Sequence, residues 1–137
     1  MIGRTLSQRF LILGTVFAGS AVAAGAFGAH ALKGILDAPR LQAFDTAIRY
    51  QMYHAFALCI VSWAIDRYPE RRIEQTGWLF IVGIFLFSGS LYLVSLTGIR
   101  WLGAVTPIGG LAFLAGWMLL GWRIWREGLP RTTSRIP

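Results

Sequence analysis

The stretch FLILGTVFAGSAVAAGAFGA, residues Phe10 to Ala29, runs for 20 residues without a charged side chain. An α-helix rises about 1.5 Å per residue, so about 20 residues cross the ~30 Å hydrocarbon core of a bilayer. Two later stretches, Gly77–Thr97 and Leu102–Trp122, have 21 residues each and also lack charge. Because backbone polar groups in that core must be bonded within their own segment, each stretch predicts a membrane-spanning helix.

A fourth apolar stretch, Tyr50–Ile65, has only 16 residues, but a half-polar helical segment precedes it. No Gly or Pro interrupts Arg40–Asp66, and Pro39 suits a first helical turn, so we expect one long helix there. The predicted fold is all-α, a membrane-spanning antiparallel four-helix bundle. We expect one domain over residues 1–124, with spans at about 10–29, 46–66, 77–97 and 102–122, and a basic tail over 125–137.

The composition agrees with a membrane protein. Hydrophobic residues make up 55% of the 137 positions and charged residues only 14%, which leaves no room for a soluble domain. The net charge of +7 is compatible with nucleic-acid binding, but the basic residues lie around the span ends, where they meet anionic lipid headgroups. We therefore expect membrane lipids as partners, with a homo-oligomer or a larger membrane complex as further candidates, and no nucleic acid.

The distribution of Lys and Arg predicts the orientation. With four spans, the N-terminus, the middle loop and the C-terminus share one side of the membrane. That side carries nine basic residues: Arg4, Arg9, Arg67, Arg71, Arg72, Arg123, Arg126, Arg131 and Arg135. The other side carries four: Lys33, Arg40, Arg49 and Arg100. Because excess positive charge stays inside, we expect both termini in the cytoplasm and the protein in the cell inner (plasma) membrane.

The first span also has features of a cleavable signal peptide. Two arginines precede its apolar run, and Ala21-Val22-Ala23 fits a cleavage site. The apolar run continues past that site to Ala29, however. We therefore favour a retained membrane span.

Small residues recur at intervals of three and four along the first span. They form one stripe on a helix, at Gly14, Ala18, Ala21, Gly25 and Gly28 or Ala29. Such a stripe lets a neighbouring backbone approach closely, which is how membrane helices associate when hydrophobicity gives no preference. We predict helix packing here, with a narrow path for a small solute as the alternative.

Two polar residues of the second span lie near the middle of the bilayer. Gln51 and His54 are three positions apart and point to one side of the helix. An unbonded polar group at that depth costs several kcal/mol, so each must face protein and have a partner. We expect hydroxyl partners in the third span, or backbone exposed by the glycines of the first: Ser88, Ser90 and Tyr92 are the candidates. Structural linkage between helices is the main interpretation, and a ligand, cofactor or proton role is the alternative.

The remaining features predict no metal or cofactor. His30 follows the small-residue stripe at the outer edge, and we interpret it as an interfacial cap for the end of its helix. His30 and His54 differ too much in depth to share a haem or metal, and one Cys with no intramembrane Asp or Glu leaves too few ligands. In the fourth span, Thr106 to Gly110 contains Pro107 and predicts a kink.

Three segments resemble one family of small membrane proteins. They are GAFGAHAL at 25–32, FDTAIRYQMYHAFAL at 44–58 and LFSGSLYLVSLTGIRWLGAVTPIGG at 86–110, and they are similar to the YgdD-like family, a domain of unknown function of the DUF423 class. The resemblance implies a four-helix inner-membrane protein and supplies no activity. The positions that match the family pattern are Gly25, Gly28, His30, Arg49, Tyr50, Gln51, His54, Ser88, Gly89, Ser90, Tyr92, Pro107, Gly109 and Gly110.

These residues give one candidate site and two classes of function. The candidate site is a polar cluster in the outer half of the bundle, formed by Gln51, His54, Arg49, Tyr50, Ser88, Ser90 and Tyr92. Arg49 points away from Gln51 and His54, so a single cluster must wrap around the helix. No catalytic constellation is evident, which favours a non-catalytic accessory, assembly or lipid-associated protein. The alternative is a small-solute or proton-coupled carrier that uses His54 and Gln51; an intramembrane enzyme requires Ser88 or Ser90 to act with His54.

Overall fold

The computed structural model describes residues 2–69 and 72–126, with side chains from residue 6 onward, and contains helices and short connections throughout that part. Four long helices follow one another along the chain. They are α1 (Ile2–Phe27), which continues into a π-helical segment (Gly28–Leu32); α2 (Ala38–Arg67); α3 (Glu74–Thr97), which contains a π-helical turn (Ile84–Ser88); and α4 (Thr106–Trp125), preceded by a 3-10 helix (Arg100–Val105). The all-α prediction is confirmed for the described residues.

Local sequence signals explain where the helices begin and end. Asp37 caps α2 because its carboxylate accepts a hydrogen bond from the backbone N–H of Arg40, at 3.0 Å. Gly98 ends α3 with φ of 75°, a left-handed conformation that favours glycine. Pro107 lies in the first turn of α4, directly after the 3-10 helix, so the helix type changes next to the position of the predicted kink.

Consecutive helices pack against one another, and α2 and α3 lie between the outer two. The contact between α1 and α2 is the most extensive, and α3 packs on both α2 and α4. Glycines allow the close approaches. A Cβ added at Gly77 would lie 2.4 Å from the ring of Phe10, and a Cβ added at Gly83 would lie 2.3 Å from the ring of Phe113. Two aromatic rings of the otherwise mainly aliphatic core therefore pack directly on the backbone of α3.

Many large apolar side chains lie on the outside of the molecule, whereas several neutral polar side chains are buried. Leu11, Ile12, Val16 and many others on α1, α3 and α4 are more than 40% exposed. The buried polar residues among those described include no Asp, Glu, Lys or Arg: they are Ser7, Gln51, His54, Ser62, Thr76, Ser88, Ser90 and Ser95. An outer surface of large apolar side chains is suited to contact with lipid acyl chains, whereas contact of the same surface with water would be unfavourable.

Three of the four expected spans are long and apolar enough to cross a membrane in the described part of the chain. They are Leu6–Leu32, Glu74–Thr97 and Arg100–Trp125. The segment expected at 46–66 belongs to α2 and is not among them. It contains the charged residues Arg49 and Asp66 as well as the polar residues Gln51, His54 and Ser62. On this criterion the structure has three spanning helices rather than the predicted four.

The predicted boundaries differ from the observed ones mainly at the ends. The first and third helices begin before Phe10 and Gly77, and the fourth α-helix begins at Thr106 rather than Leu102. The predicted long helix from Arg40 to Asp66 matches α2 to within two residues at each end. Arg71, Arg131, Arg135 and the predicted tail beyond residue 126 lie outside the described residues, as does the side chain of Arg4.

Candidate functional site

The amide group of Gln51 connects three helices. Its side chain is 6% exposed, and its nitrogen donates to the carbonyl of Phe17 at 2.9 Å and to the hydroxyl of Ser20 at 2.8 Å, both on α1. Its oxygen accepts a hydrogen bond from the hydroxyl of Tyr92 on α3, at 3.0 Å. Both amide hydrogens and the amide oxygen are therefore bonded within the protein.

The imidazole of His54 faces a different neighbour. Its Nδ1 lies 2.7 Å from the carbonyl oxygen of Tyr50, and its Nε2 lies 3.2 Å from the indole nitrogen of Trp117 on α4. A carbonyl only accepts and an indole N–H only donates, so Nδ1 carries the hydrogen and Nε2 accepts. Both ring nitrogens are used, and the ring is neutral. It also stacks on Phe113, with 3.4 Å between ring centroids and 7° between planes.

The structure does not gather the seven predicted polar residues into one cluster. Gln51 bonds Tyr92 as expected, but His54 bonds neither Tyr92 nor a serine of α3. Two residues separated by three positions differ by about 60° around a helix. Because α2 has neighbours on both sides, that angle is enough to direct Gln51 toward α1 and α3 and His54 toward α4.

Of the other four members of the predicted cluster, only Tyr50 hydrogen-bonds to the side chain of Gln51 or His54, through its backbone carbonyl. Ser90 shares a 2.6 Å hydrogen bond with Thr106, and its hydroxyl also donates to the carbonyl of Phe87. Ser88 is fully buried, and its hydroxyl has no partner among the described residues. Arg49 is exposed, as is Tyr50, which is 40% exposed. With both nitrogens of His54 engaged, the described residues contain no serine–imidazole pair suited to catalysis.

The small-residue stripe of α1 lies against α2. Gly14, Ala21 and Gly28 are buried, and an added Cβ at Gly14 would lie 2.8 Å from the carbonyl oxygen of Ala55. Ala18 and Gly25 are partly buried on the same face. The stripe therefore occupies a helix–helix contact. His30 is exposed within the π-helical segment that follows α1.

Two lateral grooves open onto the apolar surface. The first, of about 580 Å³, lies between α1 and α3 and has Gln51, Ser20 and Tyr92 among its lining residues. The second, of about 730 Å³, lies between α2 and α4 and is lined mainly by aromatic residues around His54. Its lining consists of Tyr50, Tyr53, His54, Phe87, Pro107, Gly110, Leu111, Phe113, Leu114 and Trp117. No group of three His, Cys, Asp or Glu that could hold a metal ion occurs in the described part of the chain.

The sequence did not predict two of the polar contacts. Arg40 donates from Nε to the carbonyl of Ser95 at 2.6 Å and from a terminal nitrogen to that of Leu96 at 2.9 Å, and the Ser95 hydroxyl donates back to the Arg40 carbonyl. The signal was an arginine at the start of one helix opposite the glycine-marked end of another. The second contact is the hydrogen bond from Trp117 to His54. Trp117 lies deep in an apolar stretch, which is unusual for an interfacial tryptophan.

Comparison with known proteins gives a family without an assigned activity. A family model described as "Protein of unknown function (DUF423)" matches residues 24–110. The UPF0382 membrane protein SH2409 of Staphylococcus haemolyticus is 46% identical, over 81% of this chain and 90% of its own length. The UPF0382 membrane protein YwdK of Bacillus subtilis is also 46% identical, over 81% of this chain and 91% of its own length. No solved structure matches the chain.

Proposed function

The chain belongs to the DUF423 family, whose matched relatives are named membrane proteins, and from this premise we propose that it is a non-catalytic, lipid-associated helical bundle. We place it in the cell inner (plasma) membrane as an accessory or assembly protein, among the YgdD-like members of the family. Its partners in this proposal are membrane lipids and either further copies of itself or a larger membrane complex.

The internal bonding of its polar side chains supports a non-catalytic role. The amide of Gln51 and both ring nitrogens of His54 have partners inside the protein. A carrier or proton relay needs intramembrane polar groups that can exchange those partners for a solute or a proton. Fully used groups instead hold helices in one arrangement, as polar contacts do in other membrane proteins.

We include α2 as a fourth crossing helix in this proposal. Its 30 residues give a length of about 45 Å, which exceeds the ~30 Å hydrocarbon core. Its polar side chains Gln51, His54 and Ser62 are buried, so α1, α3 and α4 shield them from lipid. An even number of crossings, together with the nine-to-four distribution of Lys and Arg, supports a cytoplasmic location for both termini.

The alternative function is a small-solute or proton-coupled carrier, which the groove beside His54 favours. A carrier would use His54 and Gln51 as binding groups inside the membrane. The two functions differ in what a change at His54 does. If His54 is a structural contact, its replacement lowers the free energy of unfolding. If His54 binds a solute or a proton, its replacement abolishes transport of that solute or proton across the membrane.

The test replaces His54 by phenylalanine, which keeps the stack on Phe113 but leaves the indole N–H of Trp117 without its acceptor. We expect thermal unfolding in detergent to show a loss of about 1 kcal/mol. The exposed Tyr53, changed to phenylalanine, is the matched control and should cost nothing measurable. Vesicles with the wild-type chain should pass protons no faster than empty vesicles. A wild-type proton flux that disappears in His54→Phe, at equal protein incorporation, would establish the carrier instead.

A further inference from the structure

A polar pocket lies where α2 begins and α3 ends. It has a volume of about 360 Å³, and its lining includes Arg40 and Arg100 together with Asp37, Val94 and Gly98. The tight turn at Gly98 brings the two arginines to one end of the molecule although they lie far apart in the sequence. This pocket differs from the two grooves in having charged side chains in its wall.

The charge in this pocket is positive and only partly used. Arg40 donates to the carbonyls of Ser95 and Leu96, which takes two of the five N–H donors of a guanidinium. Arg100 is exposed, and across residues 6–69 and 72–126 its side chain has no hydrogen-bond or ionic partner. Asp37 contributes one negative charge and accepts from the Arg40 backbone. Two arginines against one carboxylate leave a net charge of +1, and guanidinium groups suit phosphate oxygens.

The pocket and the aromatic groove lie two turns apart on the same faces of α2 and α3. Ala43 of the pocket and Tyr50 of the groove lie two turns apart on α2, or about 10 Å, and Val94 and Phe87 have the same spacing on α3. The distance along α2 from Arg40 in the pocket to His54 in the groove is about 21 Å. One leaflet of a bilayer is about 15 Å of hydrocarbon, so this length suits an acyl chain whose headgroup lies at the pocket.

We propose that one anionic phospholipid occupies the polar pocket and the aromatic groove, with its phosphate between Arg40 and Arg100 and an acyl chain in the groove between α2 and α4. The proposal rests on the proposed lipid-associated function and names the lipid class and its site. Arg40 holds the end of α3 and also faces the phosphate, whereas Arg100 serves the phosphate alone. The headgroup supplies the negative charge that the pocket lacks, and the aromatic rings contact the chain.

The headgroup is tested with Arg100→Gln in the full-length protein. Native mass spectrometry from detergent measures retention of phosphatidylglycerol and of phosphatidylcholine with identical acyl chains. We expect the wild type to prefer phosphatidylglycerol and Arg100→Gln to bind it about fivefold less tightly, since one basic residue near a membrane surface contributes about that factor. Arg49→Gln is the matched control because Arg49 is exposed on α2 and lines neither the pocket nor the groove. Asp37→Asn keeps a capping side chain and should strengthen binding.

The acyl chain is tested with Gly110→Leu, which fills the groove. An added Cβ at Gly110 meets only the Phe87 ring, at 3.7 Å, which is ordinary van der Waals contact, so a side chain can begin at this position without a clash. We expect weaker retention of both lipids, whereas Gly121→Leu, on the same helix in open space, should leave retention unchanged. Equal losses in Arg100→Gln and Arg49→Gln would overturn the proposal. So would displacement of phosphatidylglycerol by inorganic phosphate with no effect of Gly110→Leu, which would indicate a free phosphate site.

The outcomes separate this proposal from the function on which it rests. Absence of any phosphatidylglycerol preference, in a protein whose vesicles pass no protons, rejects the lipid site and leaves the structural bundle. A proton flux that depends on His54 rejects the non-catalytic bundle, whatever lipid is retained.

Discussion

At the scale of single residues, two polar side chains of α2 determine how that helix is rotated against its neighbours. Gln51 requires Ser20 and Tyr92, and His54 requires Trp117. In apolar surroundings an unbonded polar group is costly, so any rotation of α2 that broke one set of bonds would be disfavoured. The two residues therefore act as opposing contacts that permit one orientation.

The bond between Gln51 and Tyr92 gives a quantitative prediction. A double-mutant cycle of Gln51→Leu and Tyr92→Phe should yield a coupling free energy of about 0.6–1.7 kcal/mol, the range for polar contacts between membrane helices. The measurement is reversible unfolding in mixed micelles for the wild type, both single variants and the double variant.

The matched control for that cycle pairs Gln51→Leu with Tyr53→Phe. Tyr53 lies on the same helix as Gln51 but is 56% exposed. Its hydroxyl should show no coupling to Gln51. A coupling as large as that of Tyr92 would mean that the cycle reports a general loosening of α2 rather than one hydrogen bond.

At the scale of helices, the backbone of α4 comes close to the π-helical turn of α3 at Gly109. An added Cβ at Gly109 would lie 2.3 Å from the backbone nitrogen of Phe87 and 2.8 Å from the carbonyl carbon of Leu86. Backbone atoms cannot rotate away as a side chain can. Of the two glycines at the start of α4, Gly109 is therefore required by packing against α3. Gly110 is not, because a Cβ there would make only ordinary contacts.

Gly109→Ala should consequently destabilise the protein by about 1–3 kcal/mol or more, the usual cost of overpacking. Gly121→Ala, with nothing near its Cβ, should stabilise the same helix by up to about 1 kcal/mol because alanine favours helix. Thermal unfolding of the two variants in one detergent compares them directly. Equal effects of the two substitutions would show that α4 does not approach α3 at Gly109.

The helices, their approximate ends and the small-residue stripe could be predicted from the sequence because each depends on local patterns. Charge-free length and glycine spacing suffice for these features. The partner of His54 could not be predicted, since Trp117 lies on a helix whose rotation depends on every other contact. The change of helix type next to Pro107 could not be predicted either, because proline is suited both to a kink and to a first turn.

At the scale of the whole molecule, the distribution of polar side chains explains why one long helix is less apolar than the others. The outer surface supplies the contact with lipid, so the most buried helix can carry the polar groups. That helix is α2, which is buried by α1 on one side and by α3 on the other. A count of apolar residues along a sequence underestimates such a helix, because it treats inward and outward faces alike.

Whether α2 crosses the membrane decides the topology, and cysteine labelling tests it. The chain has one cysteine, so Cys59→Ala provides a background for Ile35→Cys, before α2, and Pro69→Cys, after it. Both positions are exposed. If α2 crosses, an impermeant maleimide should label Ile35→Cys in intact cells and Pro69→Cys only after the membrane is opened. Labelling of both in intact cells, or of neither, would place the two loops on one side and leave three crossings, with the termini on opposite sides.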